Sequence, residues 1–136
     1  MGNLKQTVPL MMVKDLEATL EFYVKGLGFE LKLDWKPQGR IEWCWLERDE
    51  VALMFQEYRE GSLPAEKRGI GISLNIICKD SLAIYHELKE KGLTMEEPFV
   101  GNRMWVVALS DPDGYAVNFE SLTEVAEGTK YSELIV

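Results

Sequence analysis

The fold is decided by the stretch 110–120, which reads Ser-Asp-Pro-Asp-Gly-Tyr-Ala-Val-Asn-Phe-Glu. The Asp-Pro-Asp-Gly segment predicts a turn, because proline presets φ at the first corner, glycine accepts the last corner, and aspartate side chains bond nearby backbone N–H groups. Apolar residues 105–109 precede the turn. After it, Asn118 and Glu120 alternate with Val117 and Phe119. We therefore predict a closing hairpin with one face on the core and the other on something more polar.

The composition narrows the class of protein. A chain of 136 residues with 46% hydrophobic and 28% charged residues predicts one globular domain with a hydrophobic core. The formal net charge of -8 argues against nucleic acid or an anionic membrane as a partner and favours encounter with cationic ligands. Two cysteines, without a signal peptide or a long apolar segment, predict a reduced cytoplasmic protein with no disulfide.

The first half of the chain predicts the order β-α-β-β-β. Strands are predicted at 7–13, 29–36, 41–47 and 51–56 from their apolar patterns. Between the first two strands, Asp15 is a helix N-cap, and apolar residues follow it at helical spacing until Gly26.

The order starts again after residues 57–68, whose charges, glycine and proline predict a linker. A strand is predicted at 70–78, a helix from Asp80 to Gly92, a short strand at 93–97 and the closing hairpin at 103–120. The helices that Asp15 and Asp80 begin are 65 positions apart and end at similar Gly-Leu pairs, which predicts an internal repeat. For the polar tail after Glu120 we expect fraying, with docking on a partner chain as the alternative.

Parity assigns side chains to the two faces of each strand. In the 41–56 hairpin, pairing around a tight turn brings Trp43, Trp45 and Glu47 beside Ala52, Met54 and Gln56 on one face. The alternate residues point to the helix side, and these are Cys44, Leu46, Leu53 and Phe55. The face away from the helices then carries a mixed set: Trp43, Trp45, Met54, Ser73, Asn118 and Glu120. A concave face of this composition suits a small-molecule pocket, and an ordinary solvated sheet face is the alternative.

Three passages carry a family resemblance: residues 13–29 as an opening strand, helix and strand, residues 78–92 as a second helix, and Asp-Pro-Asp-Gly at 111–114 as a closing turn. Together they resemble the vicinal-oxygen-chelate superfamily, which includes glyoxalase I, extradiol dioxygenases and bleomycin-resistance proteins. The resemblance implies an α+β fold in which two βαβββ modules form a curved mixed sheet around a cleft, with helices on the outer face. The modules would occupy about 5–58 and 69–121, joined by a linker at 59–68 and followed by a tail at 122–136.

The resemblance also implies where a metal would sit. Enzymes of the family hold a divalent ion with His, Glu or Gln from four strands, and these positions fall here at Val8, Met54, Ser73 and Asn118. Valine has no donor and methionine offers only a thioether, whereas hard or borderline divalent ions bind carboxylate or imidazole. We therefore expect no metal, no cofactor and no catalytic residues.

The sequence gives little evidence for other catalytic groups. His86 is the only histidine, and a lone helical histidine predicts a surface or satisfied residue rather than a ligand. Glu47 and Glu120 would act as acid and base if they converged, but two solvated carboxylates are the simpler interpretation. Cys44 and Cys78 lie on apolar strands and are predicted to be core residues.

The tryptophans provide the positive signal. Trp43 and Trp45 lie on the face where the family's metal would be, and Trp105 lies in the closing hairpin, where direct pairing sets it opposite Glu120. Aromatic walls stack planar ligands and attract cations. We predict a metal-free binding protein that resembles the bleomycin-resistance branch, associated with antibiotic resistance, and sequesters a planar or cationic small molecule. Its ligand-binding residues would be Trp43, Trp45, Met54, Ser73, Trp105, Asn118 and Glu120.

Two rival functions remain open at this point. One is a metal-dependent glyoxalase-like lyase, isomerase or dioxygenase that acts on a small oxygenated substrate. The other is an interaction module whose tryptophan face is covered by another protein. The family resemblance further implies a homodimer.

Overall fold

Each half of the chain folds as the same β-α-β-β-β unit, as the internal repeat predicts. The computed structural model describes residues 2–64 and 67–134. One unit ends at residue 65 and the other begins at residue 66. Each contains one four-stranded mixed sheet, so the fold is α+β and consists of two βαβββ modules.

The first unit has the strand order β1-β4-β3-β2. Its β1 runs parallel to β4, and the other pairs are antiparallel. Its elements are β1 (Leu10–Val13), α1 (Leu16–Leu20) continued by a π-helical segment (Glu21–Gly26), β2 (Glu30–Trp35), β3 (Trp43–Arg48) and β4 (Val51–Glu57).

The predicted first helix begins and ends as expected, but it changes type halfway. The side chain of Asp15 accepts a hydrogen bond of 3.0 Å from the backbone N–H of Glu17, which confirms the N-cap. After Leu20 the helix widens, and the N–H of Leu27 donates to the carbonyl of Phe22 at 2.9 Å. Such π-helical turns are rare, and sequence periodicity does not distinguish them from α-helix.

The second unit repeats the topology with the order β5-β8-β7-β6, again with its first and last strands parallel. Its elements are β5 (Ser73–Ile77), α2 (Ser81–Glu90), β6 (Phe99–Gly101), β7 (Met104–Ser110) and β8 (Ala116–Leu122). Asp80 caps α2 through a 3.2 Å bond from the N–H of Ala83, as predicted.

The closing turn has the geometry that its sequence predicts. Asp111 Oδ1 accepts from the N–H groups of Asp113 and Tyr115, both at 2.9 Å. Asp113, in turn, accepts a 2.7 Å bond from Nε of Arg68. The aspartates of this turn are therefore buried structural groups that fix the path of the chain between β7 and β8.

The predicted strand at 93–97 is wrong, because these residues pair with no strand. Residues 99–101, between the predicted strand and the predicted hairpin, form β6 instead. The reason is a two-residue turn at Asn102 and Arg103, whose φ angles are 53° and 66°. Positive φ at both central residues is the geometry that matches the twist of a hairpin. It places β6 directly against β7.

The expectation that the tail frays is also wrong as far as residue 134. Backbone bonds of 2.9 Å join Val100 N–H to the carbonyl of Thr129 and Gly128 N–H to the carbonyl of Val100. The tail then forms a 3₁₀ turn at Tyr131–Leu134. It therefore covers the outer edge of β6, and residues 135 and 136 lie outside the described part of the chain.

The core of each unit lies between its sheet and its helix, on the faces that parity assigns. In the first unit Cys44, Leu46 and Phe55 are fully buried, and Leu53 is nearly so. In the second unit Val107, Val117 and Phe119 fill the same role. Among the described residues, no helix has the length and apolar character needed to cross a membrane.

Candidate functional site

The uncovered face of the first sheet carries an aromatic and apolar surface. Trp43 pairs with Gln56, and Trp45 pairs with Met54, so the predicted hairpin register is confirmed. Trp35 of the edge strand pairs with Trp43, which extends the aromatic row. We call this surface the tryptophan face and define it by the residues Leu10, Leu33, Trp35, Trp43, Trp45, Glu47, Met54 and Gln56.

The tryptophan face is open to solvent without being fully solvated. Leu33 and Trp35 are 56% and 53% exposed, whereas Trp43, Trp45 and Met54 are half-buried. Part of each indole is therefore accessible, and stacking on a planar ligand requires an accessible aromatic surface.

A carboxylate fixes the orientation of one ring. The indole Nε1 of Trp45 donates a 2.7 Å hydrogen bond to Glu47 Oε2, two residues along the same strand and on the same face. The bond uses the polar group of the indole and leaves its apolar faces for packing. It also places a negative charge at the ring edge, so the pair presents an aromatic wall and an anion together.

A further ion pair lies beside Glu47 at the end of the sheet. Lys32, at an irregularity in the β2–β3 register, contacts Glu30 at 2.9 Å. The hydrogen bond and charge of Lys32 hold the pKa of Glu30 below its usual range, and the same contact raises the pKa of Lys32, with Glu47 as a smaller contributor. With its neighbours this group surrounds a shallow cavity of about 310 Å³.

The uncovered face of the second sheet holds the polar residues that the sequence predicts for it. Asn118 Nδ2 donates to Asn75 Oδ1 at 3.0 Å, and Asn75 Nδ2 donates to Ser73 Oγ at 3.1 Å. Glu120 lies one pair further along, opposite Ile77 and Val106. Ser73 is exposed, and Asn118 and Glu120 are half-buried.

The predicted pairing of Trp105 with Glu120 is wrong. Trp105 pairs with Ser121 instead of Glu120, because the closing turn sets a register one residue different from the direct pairing assumed from sequence. A shift of one residue moves a side chain to the opposite face of the sheet. Trp105 is accordingly 5% exposed and packs its ring edge-to-face on Tyr131 at 6.1 Å. It is a core residue on the side of α2.

The four positions at which the family's enzymes hold a metal do not fit a divalent ion here. Val8 has no donor atom, and the thioether of Met54 lies between Leu10 and Trp45 on neighbouring strands. Ser73 and Asn118 are neutral and linked through Asn75. Within 2–64 and 67–134, no group of three or more His, Cys, Asp or Glu side chains has a metal-binding arrangement. We therefore derive no chemistry through a metal.

Two of the other candidate groups, His86 and Cys44, are structural. His86 is exposed, and its Nε2 lies 2.9 Å from the hydroxyl of Tyr131, which confirms it as a satisfied surface residue. Cys44 is fully buried, and burial raises the pKa of its thiol to about 11. Cys78 is half-buried instead of lying in the core as predicted, its Sγ lies 3.5 Å from the carbonyl oxygen of Ile76, and no disulfide joins the two cysteines. Glu47 and Glu120 lie in different units, and their interpretation as two solvated carboxylates stays a prediction.

Sequence reasoning missed a cavity of about 630 Å³ on the helix side of the first unit. The turn into α1, the first turns of that helix, the β2–β3 loop and the end of β4 surround it. Glu57 accepts a 2.9 Å bond from the N–H of Leu16 and a second bond from Arg40. No sequence signal points to this cavity, because its residues come from separate segments.

One family model matches most of the chain, and solved structures share its fold. The model of the Glyoxalase/Bleomycin resistance protein/Dioxygenase superfamily matches residues 4–119. No curated protein matches the chain.

Solved structures with the same fold include TnmS3, an antibiotic binding protein from Streptomyces sp. CB03234, at 22% identity and a TM-score of 0.66, with 90% of this chain and 100% of that one covered. A bleomycin-binding protein complexed with bleomycin has 20% identity and a TM-score of 0.70, over 88% of this chain and 100% of that one. A glyoxalase/bleomycin resistance protein/dioxygenase from Nocardioides has 19% identity and a TM-score of 0.71, over 93% and 89%.

Proposed function

Because this chain belongs to the glyoxalase/bleomycin resistance protein/dioxygenase superfamily, we propose that it is a metal-free binding protein of the bleomycin-resistance type. It sequesters a planar or cationic small molecule, and the tryptophan face supplies the main contacts. The family hosts both enzymes and binding proteins, so this choice rests on the residues of this chain.

The observation that carries the proposal is the pair of half-buried tryptophans beside Met54 on an uncovered sheet face. Each favourable aromatic stack contributes about 0.5–1.5 kcal/mol beyond the burial of area. Methionine adds a polarizable side chain that adapts to the shape of a ligand. Two rings and one thioether together favour flat ligands over compact polar ones.

The charge pattern supports a cationic ligand. Glu47 lies at the edge of the Trp45 ring, and the chain has a formal net charge of -8. A cation above an indole and near a carboxylate gains from both groups when water is excluded. One structural neighbour is named an antibiotic binding protein and another is complexed with bleomycin, which supports a small molecule as the ligand.

We also propose that Ser73, Asn118 and Glu120 contact ligand from the open face of the second sheet. The amide of Asn118 is already oriented by Asn75. Trp105 is not included, because its ring lies on the other side of that sheet. As in related proteins of the family, the protein acts as a homodimer.

The test is tryptophan fluorescence during titration with metal-free bleomycin, with an uncharged planar compound as a parallel ligand. We expect saturable quenching in the parent protein. The affinity should be about tenfold lower in Trp45→Ala, in line with the loss of one stack. Trp45→Phe is the matched control, because it keeps a flat ring at the same position and should bind within about threefold of the parent. Glu47→Gln keeps a hydrogen-bond acceptor for an indole and should weaken only the cationic ligand.

Two results would overturn the proposal. One is equal affinity in the parent and the Trp45→Ala variant for every ligand that binds. The other is near-stoichiometric Fe, Ni, Zn or Mn in protein purified without chelator, which would favour the metal-dependent lyase, isomerase or dioxygenase.

A further inference from the structure

The cavity on the helix side of the first unit is separate from the tryptophan face. Glu57, at its floor, follows Gln56 on β4, and consecutive strand residues point to opposite faces of a sheet. Gln56 belongs to the tryptophan face, so a molecule in this cavity would lie across the sheet from any ligand on that face. Its volume of about 630 Å³ is in the range of small-molecule sites.

One part of the cavity wall is apolar. Leu16 is 1% exposed, and Leu20 and Ile41 are half-buried. Leu16 and Leu20 come from α1, and Ile41 lies two residues before β3, so the apolar wall is formed by the helix and the end of the β2–β3 loop. An apolar segment of a ligand would displace water from this wall, which is favourable in proportion to the area covered.

The polar part of the wall carries three cations and three carboxylates, which are Lys14, Lys36 and Arg40 and Asp15, Glu17 and Glu57. Both oxygens of Glu57 already accept, from the N–H of Leu16 and from Arg40, and Asp15 Oδ1 accepts from the N–H of Glu17. On the opposite side Lys36 lines the cavity, and its carboxylate contact with Asp34 is 3.8 Å long. A lysine ammonium has three donors, and a guanidinium has five, so the cations here retain capacity for an additional acceptor.

We propose that this cavity is a second binding site, which takes a small organic anion with a short apolar body, such as a medium-chain carboxylate. The carboxylate lies between Lys36 and Arg40, and the chain lies along Leu16, Leu20 and Ile41. A cation of the same shape would meet the ammonium and guanidinium groups, and an inorganic anion would leave the apolar wall hydrated. The site does not depend on the function proposed for the tryptophan face.

The experiment uses the full chain and follows backbone amide resonances during titration with octanoate, octylamine and inorganic phosphate. We expect octanoate to shift the amides of 14–17 and 36–41 in a saturable manner, at millimolar affinity or better, and the other two probes to leave them in place. Trp43→Ala should bind octanoate as the parent does, which separates this site from the tryptophan face.

Two variants test whether octanoate binding requires the positive charges of Lys36 and Arg40. Lys36→Gln leaves the contact between Arg40 and Glu57 intact and should weaken octanoate about threefold, as expected for one exposed ion pair. Arg40→Gln should weaken it further. Lys25→Gln is the matched control, because it removes one exposed cation of the same unit, which pairs with Glu21 and does not line the cavity.

The proposal fails if octanoate produces no saturable shift, if octylamine or phosphate binds as tightly as octanoate, or if Lys25→Gln weakens binding as much as Lys36→Gln. An affinity for octanoate that is about threefold lower in Lys36→Gln, lower still in Arg40→Gln and unchanged in Lys25→Gln supports it.

Discussion

At the scale of single residues, two glycines with nearly the same backbone have opposite surroundings. Gly69 has a φ of +80° and Gly39 a φ of +86°. A Cβ on Gly69 would meet the backbone oxygen of Gly114 at 2.6 Å, whereas a Cβ on Gly39 would meet nothing within 4 Å. The first glycine is therefore required by conformation and by contact, and the second by conformation alone.

We predict that Gly69→Ala destabilises the protein by about 3 kcal/mol and Gly39→Ala by about 1 kcal/mol. The difference arises because the backbone of the closing turn cannot move aside without disturbing the bonds of Asp111 and Asp113. Urea denaturation of both variants measures it. Equal losses of stability in the two variants would show that the contact with Gly114 is unimportant.

At the scale of elements, the tail is attached to the second sheet by carboxylates as well as by backbone bonds. Glu127 accepts from the N–H groups of Asn102 and Arg103 at 2.7 and 3.0 Å, in the turn between β6 and β7. Glu97 accepts from the N–H of Ser132 at 2.9 Å. The bond from Arg103, followed by that from Asn102, lowers the pKa of Glu127, and the hydrogen bonds of Ser132 lower the pKa of Glu97.

We therefore predict that the tail detaches in acid before the rest of the second unit unfolds. Because both carboxyl groups have folded pKa values below the ordinary 4.5, their stabilisation is present above pH 4.5 and is lost as the pH falls through the lower folded values. Hydrogen exchange at the amide of Gly128, compared with amides in the β7–β8 ladder, measures the effect.

Glu127→Gln provides the control for this transition. It should weaken the protection of the Gly128 amide already at neutral pH. It should also make that protection less dependent on pH, because a glutamine side chain does not titrate. Protection of Gly128 that follows the β7–β8 amides at every pH would contradict the prediction.

At the scale of the whole molecule, apolar side chains remain exposed on the open face of the second sheet. Leu122 is 81% exposed and Ile77 is 64% exposed, and both flank Glu120. Neighbouring exposed apolar residues on a sheet are typical of surfaces covered in an assembly. They support the homodimer that we propose from the family, in which two copies of the chain contact each other.

We expect sedimentation equilibrium to give twice the mass of one chain at micromolar concentration. Leu122→Lys should shift the protein toward monomer, because a charge would be buried in the interface. Leu4→Lys is the matched control, since Leu4 is 96% exposed and lies outside the sheets. A monomer at all concentrations, or equal effects of the two variants, would contradict this assignment.

Local sequence signals determined much of the fold. The caps at Asp15 and Asp80, the turn at 111–114 and the parity of Trp43, Trp45 and Met54 all rest on residues close in sequence, and the structure has them as predicted. The family could likewise be recognised from three short passages, because they mark the beginning, the middle and the end of the same fold.

Only the tertiary structure decided the features that depend on distant segments. The register of the closing hairpin places Trp105 in the core, and the edge of β6 forms backbone hydrogen bonds with a polar tail. The helix-side cavity combines residues 14–20, 36–41 and 57. Short-range patterns determine how side chains alternate along a strand. The pairing of strands and loops determines which residues each side chain contacts, and the free energy of that pairing depends on the whole unit.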